Sequence, residues 1–96
     1  MSDLAVTHQP EQHRFVILDA GKLAAEMSYS PLGDDRLIID HTDVDPAYAG
    51  QGLGYQLVEA AVVHARERQM KILPLCPFAA SVFKKKGAAY ADVLFG

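Results

Sequence analysis

Three glycines at alternate positions stand in the run Ala49-Gly50-Gln51-Gly52-Leu53-Gly54-Tyr55. Without Cβ atoms in the way, backbone N–H groups can approach an anion closely, and a helix opening at the end of the run adds about half a positive charge. Phosphate or pyrophosphate binding is the chemistry this suits; the plain alternative is a glycine-rich connection that holds nothing. Two familiar phosphate loops fail on residue identity. A P-loop calls for Lys and then Ser or Thr after its last glycine, where this chain has Tyr55 and Gln56. A dinucleotide fingerprint calls for a further glycine where Gly52-Leu53-Gly54-Tyr55-Gln56-Leu57 ends in leucine.

The second reactive feature is Cys76, the one cysteine of the chain, directly before Pro77. A thiol at the start of a helix is shifted toward thiolate, which suits a nucleophile that carries an acyl group; the alternative is a buried cysteine acting as a small hydrophobe. His41 and Asp43, two positions apart, share one face if their strand is regular and are the proton acceptors nearest the glycine run, with histidine the better base near neutral pH. A hydrogen-bonded strand residue is the other reading of each. Lys84, Lys85 and Lys86 form a basic run that either complements a helix end or meets a phosphate. A lone cysteine forms no internal disulfide, and His8, His13, His41 and His64 lack a paired zinc spacing, so no metal site is expected.

The elements that must position these groups follow from periodicity. Phe15-Val16-Ile17-Leu18 is a short apolar strand ending at Asp19-Ala20-Gly21. Leu23, Ala25, Met27 and Tyr29 alternate with polar or small residues, which predicts a half-buried strand to Ser30 before the turn cluster Pro31-Leu32-Gly33-Asp34-Asp35. Arg36 to Val44 reads as a third strand, and Asp45-Pro46 opens the glycine loop. From Leu53, the residues Leu57, Val58, Ala61, Val62 and Ala65 recur at helical spacing. Lys71 to Cys76 is then a strand that a right-handed crossover lays parallel to the third, with Pro74 confining it to an edge or to a place where strands splay. Pro77 opens a second helix that Gly87 stops, and Ala88 to Gly96 adds a last turn or strand. The expected architecture is α/β: a small mixed, mainly antiparallel sheet with splayed parallel strands and two helices.

Length and composition bound the rest. A chain of 96 residues, 50% apolar and 22% charged, accommodates a single domain over 1–96 and has no room for a second catalytic module. A net charge of -3 gives no general attraction to nucleic acid or anionic lipid. No run approaches the roughly 18 apolar residues of a membrane span, and no export signal is visible, so a cytoplasmic location is expected.

The stretch Val44-Asp45-Pro46-Ala47-Tyr48-Ala49-Gly50-Gln51-Gly52-Leu53-Gly54 resembles the acetyl-CoA motif of the GCN5-related N-acetyltransferases, Gln/Arg-x-x-Gly-x-Gly/Ala. Ala49 stands in the Gln/Arg position, a departure in a family that grips the pyrophosphate largely through backbone N–H groups. Ala80-Ser81-Val82-Phe83-Lys84-Lys85-Lys86-Gly87 is similar to the family's later helix, although Phe83 replaces a tyrosine often used there as general acid. His41-Thr42-Asp43-Val44 and Pro74-Leu75-Cys76-Pro77-Phe78 extend the likeness to a subgroup of short single-domain members. The resemblance implies a minimal acetyltransferase fold holding acetyl-CoA through Val44, Ala49, Gly50, Gln51, Gly52, Leu53, Gly54 and Tyr55, joined by Cys76, Phe78, Phe83 and Lys84. It further implies an oxyanion donor at the main-chain N–H near Val44 and catalytic roles for Cys76, His41 and Asp43. The implied partner is an unidentified amine acceptor, with peptide or protein amines favoured because the chain lacks the early helices that shape a deep acceptor pocket. A non-catalytic acyl-CoA-binding module and a cofactor-free interaction domain are the other readings, and the expected assembly is a monomer or weak homodimer.

Overall fold

A computed structural model describes residues 4–95. Strands β1 (Val6–Gln9), β2 (Arg14–Asp19), β3 (Lys22–Leu32) and β4 (Arg36–Val44) precede helix α1 (Leu53–Arg68), strand β5 (Lys71–Pro74) and helix α2 (Pro77–Lys86). The sheet order is β1-β2-β3-β4-β5, antiparallel throughout except where β4 meets β5 in parallel. This is the mixed α/β architecture that the periodicity predicts.

Strand β1 is not legible in the sequence. It has a single aliphatic residue, Val6, and its docking is aromatic: His8 stacks on Phe15 with ring centroids 4.3 Å apart and lies 2.6 Å from the Tyr29 hydroxyl. The alternation expected on β3 holds for Ala25, Met27 and Tyr29, which are buried, but not for Leu23, which is exposed while Ala24 is buried. The cause is a register shift. Ile17 faces Ala25 and Leu18 faces Leu23, so Ala24 is an extra residue that changes which side chains point inward. Strand β3 also runs past its predicted end, to Leu32 opposite Arg36, and the turn shrinks to Gly33-Asp34-Asp35. Pro31 is tolerated because β2 reaches only to Ser28, which leaves that side of β3 without a ladder to break.

Helix α1 buries Leu53, Leu57, Val58, Ala61, Val62 and Ala65 as its spacing predicts, and α2 buries Ala79, Val82 and Phe83. Both helices feed one core with Ile17, Met27, Leu37, Ile39 and Ile72 of the sheet, so they cover the same face. The opposite face carries Glu26, Ser28, Ser30, Ile38, Asp40 and His41, none of them in that core. Gly87, at φ +51, ends α2 with its N–H on Phe83 O, and the chain then makes a short turn over Gly87–Tyr90. Strand β1 covers β2, and the closing segment covers β5, where Ile72 N–H bonds Val93 O at 2.6 Å and Phe95 N–H bonds Ile72 O at 2.9 Å. That segment is fastened to α1 by Arg66, whose Nε donates to Asp92 at 2.8 Å, and by the Tyr90 hydroxyl, which donates to Glu59. Among the described residues no helix is long and apolar enough to cross a membrane.

Candidate active site

The site begins with a split between two parallel strands. Pairing of β4 with β5 stops at Ile39 opposite Pro74, two residues short of the end the sequence suggests for β5. Leu75 and Cys76 both direct their N–H groups at Ile39 O, at 3.2 and 3.0 Å, as the chain turns away into α2. Strand β4 continues alone on that side from Asp40 to Val44, so Pro74 marks the point where the strands part.

A bulge decides what faces the split. Ile39 pairs with Tyr29 and His41 with Ser28, which leaves Asp40 as the extra residue, its carboxylate accepting from Ser30 Oγ at 2.6 Å. Before the bulge Leu37 and Ile39 point into the core; after it, Thr42 sits opposite core-facing Met27, and Val44 opposite Ala25. His41 and Asp43 are exposed and leave from the helix-free face. His41 and Asp43 share one face, and it is the face away from Cys76. The structure brings Cys76 to Thr42 instead, with Sγ 3.5 Å from Oγ1.

The backbone alternates in the same way. Asp45 N–H bonds Ala24 O at 2.8 Å, so the residues in step with it, Asp43 and His41, turn their backbone groups toward β3. Thr42 and Val44 turn theirs toward the split. The Thr42 amide accordingly reaches the Cys76 sulfur, as do the amides of Phe78 and Ala79 in the first turn of α2. Burial raises the Cys76 pKa, but the Thr42 hydroxyl and these three amides outweigh it and leave the thiol below its ordinary value.

The glycine run borders this split. Asp45 caps the turn Pro46–Tyr48 through Ala47 N–H at 2.8 Å, and the amides of Ala49 and Gln51 bond the carbonyls of Pro46 and Tyr48. Gly52, at φ +75, is the N-cap of α1 and has no side chain with which to cap it. The amides of Leu53, Gly54 and Tyr55 thus begin the helix without a capping partner. Gly54 is fixed by contact: a Cβ there would lie 2.6 Å from Phe78 Cζ, so the loop and α2 meet only because the side chain is missing. Val44, Tyr48, Ala49, Gly50, Gly52, Leu53, Gly54, Tyr55 and Phe78 enclose a largely apolar groove of about 470 Å³.

Most of the residues expected to hold a cofactor line this groove; Gln51, Cys76, Phe83 and Lys84 do not. Gln51 points its amide at the preceding turn, and Phe83 is buried in the core with its ring 5.1 Å from that of Tyr90. Of the three lysines it is Lys85, not Lys84, that reaches the rim, donating to the Tyr55 hydroxyl at 3.2 Å. Tyr48 forms a wall rather than an acid. Its hydroxyl donates to Asp19 at 2.5 Å, and that bond, helped by burial, raises its pKa. Thr42 is the site residue that reading the sequence did not single out, because the bulge hid its facing. Lys85 belongs to the basic run read as meeting a phosphate, and its meeting with Tyr55 is a tertiary contact between α2 and α1.

Comparison with known proteins fits this geometry. The family model for the GCN5-related N-acetyl-transferase matches residues 14–93. A solved GCN5-like protein from Staphylococcus aureus is 36% identical, with a TM-score of 0.77 over 100% of this chain and 92% of that one. The ribosomal-protein-S18-alanine N-acetyltransferase from Escherichia coli is 25% identical, with a TM-score of 0.66 over 82% of this chain and 54% of that one. N-acetylglutamate synthase from Neisseria gonorrhoeae, complexed with coenzyme A and N-acetyl-glutamate, shares the fold at 16% identity and a TM-score of 0.65, over 88% of this chain and 22% of that one. None of the curated proteins compared matches the chain. With its family model running from β2 to the segment that closes the sheet, and its fold shared along its whole described length, the chain belongs to the GCN5-related N-acetyltransferase family and is an acetyltransferase of that class.

Proposed function

We propose that the chain moves an acetyl group from acetyl-CoA to a primary amine, with peptide or protein amines favoured. The observation that carries this reading is the start of α1, where the uncapped amides of Leu53, Gly54 and Tyr55 edge a groove that opens onto the split. Amides left free at a helix start suit a pyrophosphate, and the helix dipole favours its charge. Acetyl-CoA, when bound, supplies an acetyl thioester already activated for transfer. The three amides hold the pyrophosphate; Tyr48 and Phe78 flank the apolar arm; Lys85 places a cation at the rim.

At the split, the Val44 N–H turns away from β3, and it would serve as the donor that acyl transfer requires for a carbonyl oxygen as it gains charge. Cys76, on the same split and 3.5 Å from Thr42, has its thiol pKa lowered by hydrogen-bond donors against the effect of burial, which suits an acyl relay. In the relay Cys76 Sγ bonds to the acetyl carbon as the original thioester breaks, and the amine then takes the acetyl group and frees the thiolate. The amine reaches the acyl group through the open part of the split, and its proton passes by way of water to His41 or Asp43, which stand exposed on the face away from Cys76.

A second reading, an acyl-CoA-binding module without turnover, is favoured by one observation: Phe83, in the place of the family's frequent tyrosine acid, is buried and has no proton to give. Intact-mass spectrometry after mixing with acetyl-CoA, with and without a peptide amine, separates the readings. Transfer to the peptide is expected, with an acetyl adduct on Cys76 when the peptide is omitted. Binding without transfer supports the module, and unchanged turnover in both Cys76→Ala and Cys76→Ser rejects the relay.

A further inference from the structure

Thr42 stands in the split without a place in the reading above, which assigns Cys76, Val44, His41 and Asp43. A threonine opposite Met27 and beside the core positions Leu37 and Ile39 puts a hydroxyl where β4 otherwise presents aliphatic side chains. The bulge at Asp40 sets this facing: were the same residues to run as a regular strand, position 42 would face away from α2 and could not meet the thiol. The oxygen lies 3.5 Å from Sγ and comes from β4, across the split from the two α2 amides that approach the same sulfur.

We propose that Thr42 is a positioning residue for Cys76: its hydroxyl turns the thiol into the split and donates to the sulfur whenever the thiolate is present. The inference rests on the reading of Cys76 as the acyl-carrying group. A thiolate accepts from several donors at once, and a hydroxyl, unlike an amide, can rotate to donate to a thiolate and to accept from a thiol. Thr42 therefore serves both protonation states, which a relay passes through in each turnover. Among the described residues no charged side chain competes for this task. His41 and Asp43 of β4 leave from the other face, α1 presents apolar residues at its start, and Lys84, Lys85 and Lys86 sit in the last turn of α2 while Cys76 caps its first.

Because the chain has one cysteine, the ultraviolet absorbance of the thiolate reports Cys76 alone, without acetyl-CoA or an acceptor. Thr42→Val keeps the shape and removes the donor; Thr42→Ser keeps the donor. The expected result is a titration midpoint raised by about one pH unit in Thr42→Val, the scale of one lost hydrogen bond to a charged group, and restored in Thr42→Ser. In turnover with a peptide amine, Thr42→Val lowers kcat about tenfold while KM for acetyl-CoA stays within about twofold. A midpoint in Thr42→Val equal to the parent's, at unchanged circular dichroism, overturns the proposal, as does a serine variant that titrates like the valine one. The underlying reading fails separately: Cys76→Ala with parental turnover removes any part for Thr42 in transfer, whatever the titration shows.

Discussion

The two halves of β4 have nearly the same composition of strand formers and opposite occupations. From Arg36 to Ile39 the strand is held on both sides, by β3 and β5, and buries Leu37 and Ile39. From His41 to Val44 it keeps β3 but has no β5 neighbour, and it turns the Thr42 hydroxyl and the amides of Thr42 and Val44 into the gap. One inserted residue, Asp40, and one early parting, at Pro74, separate a half that supplies stability from a half that supplies chemistry. A small domain has little core to give up, so placing the polar half at the end of the strand keeps the loss local.

The largest effect should come from giving the packed half the open half's chemistry. Ile39→Asp puts a carboxylate at a fully buried position of the core. Burying that unpaired group should cost about 4 kcal/mol in chemical denaturation and abolish acetyl transfer along with the fold. A variant with parental stability would mean that this half of the strand does not supply the core. Next is Ile39→Ala, in the packed half. Full burial of Ile39 predicts a loss of about 3 kcal/mol by denaturant titration, with kcat of the folded fraction little changed. In the open half the order reverses: His41→Asn should leave the unfolding midpoint nearly unmoved and lower kcat about 10²-fold, the scale of a lost general base.

The smallest effect lies furthest from the split, at the docked edge strand. His8 and His64 have ring centroids 4.6 Å apart, and both pKa values lie below the ordinary histidine value, first because of burial and then because of their neighbours, among which Arg68 repels both. A histidine whose folded pKa is lowered stays neutral in the native state while the unfolded chain takes up a proton. Stability is therefore complete above pH 6.5 and falls as pH drops below that value toward the folded pKa, after which the loss is constant. Thermal unfolding between pH 8 and about pH 5 should show this decline, and it should shrink in His64→Gln. A decline of equal size in that variant would locate the titration elsewhere.

What could be read from the sequence was local. The glycine run, its helix and the stop at Gly87 each depend on residues within a few positions, and the repeat of Leu57, Val58, Ala61 and Val62 requires no partner to be recognised. Pro74 also announced the splay, because its missing N–H is a property of one residue. The bulges were hidden, since Ala24 and Asp40 are extra only relative to the strands they pair with. That hidden register is why His41 and Asp43 attracted attention while Thr42 did not. Strand β1 was missed for a related reason: a strand docked by a histidine stacked on Phe15 leaves no hydrophobic alternation to find.

The central claim concerns the beginning of α1, and amide chemical shifts during titration with coenzyme A test it directly. The account predicts that the Leu53, Gly54 and Tyr55 resonances move first and furthest, that inorganic pyrophosphate at higher concentration moves the same three, and that Gly54→Leu abolishes both responses. Saturating coenzyme A that leaves these three amides in place, whether or not resonances elsewhere respond, would contradict it.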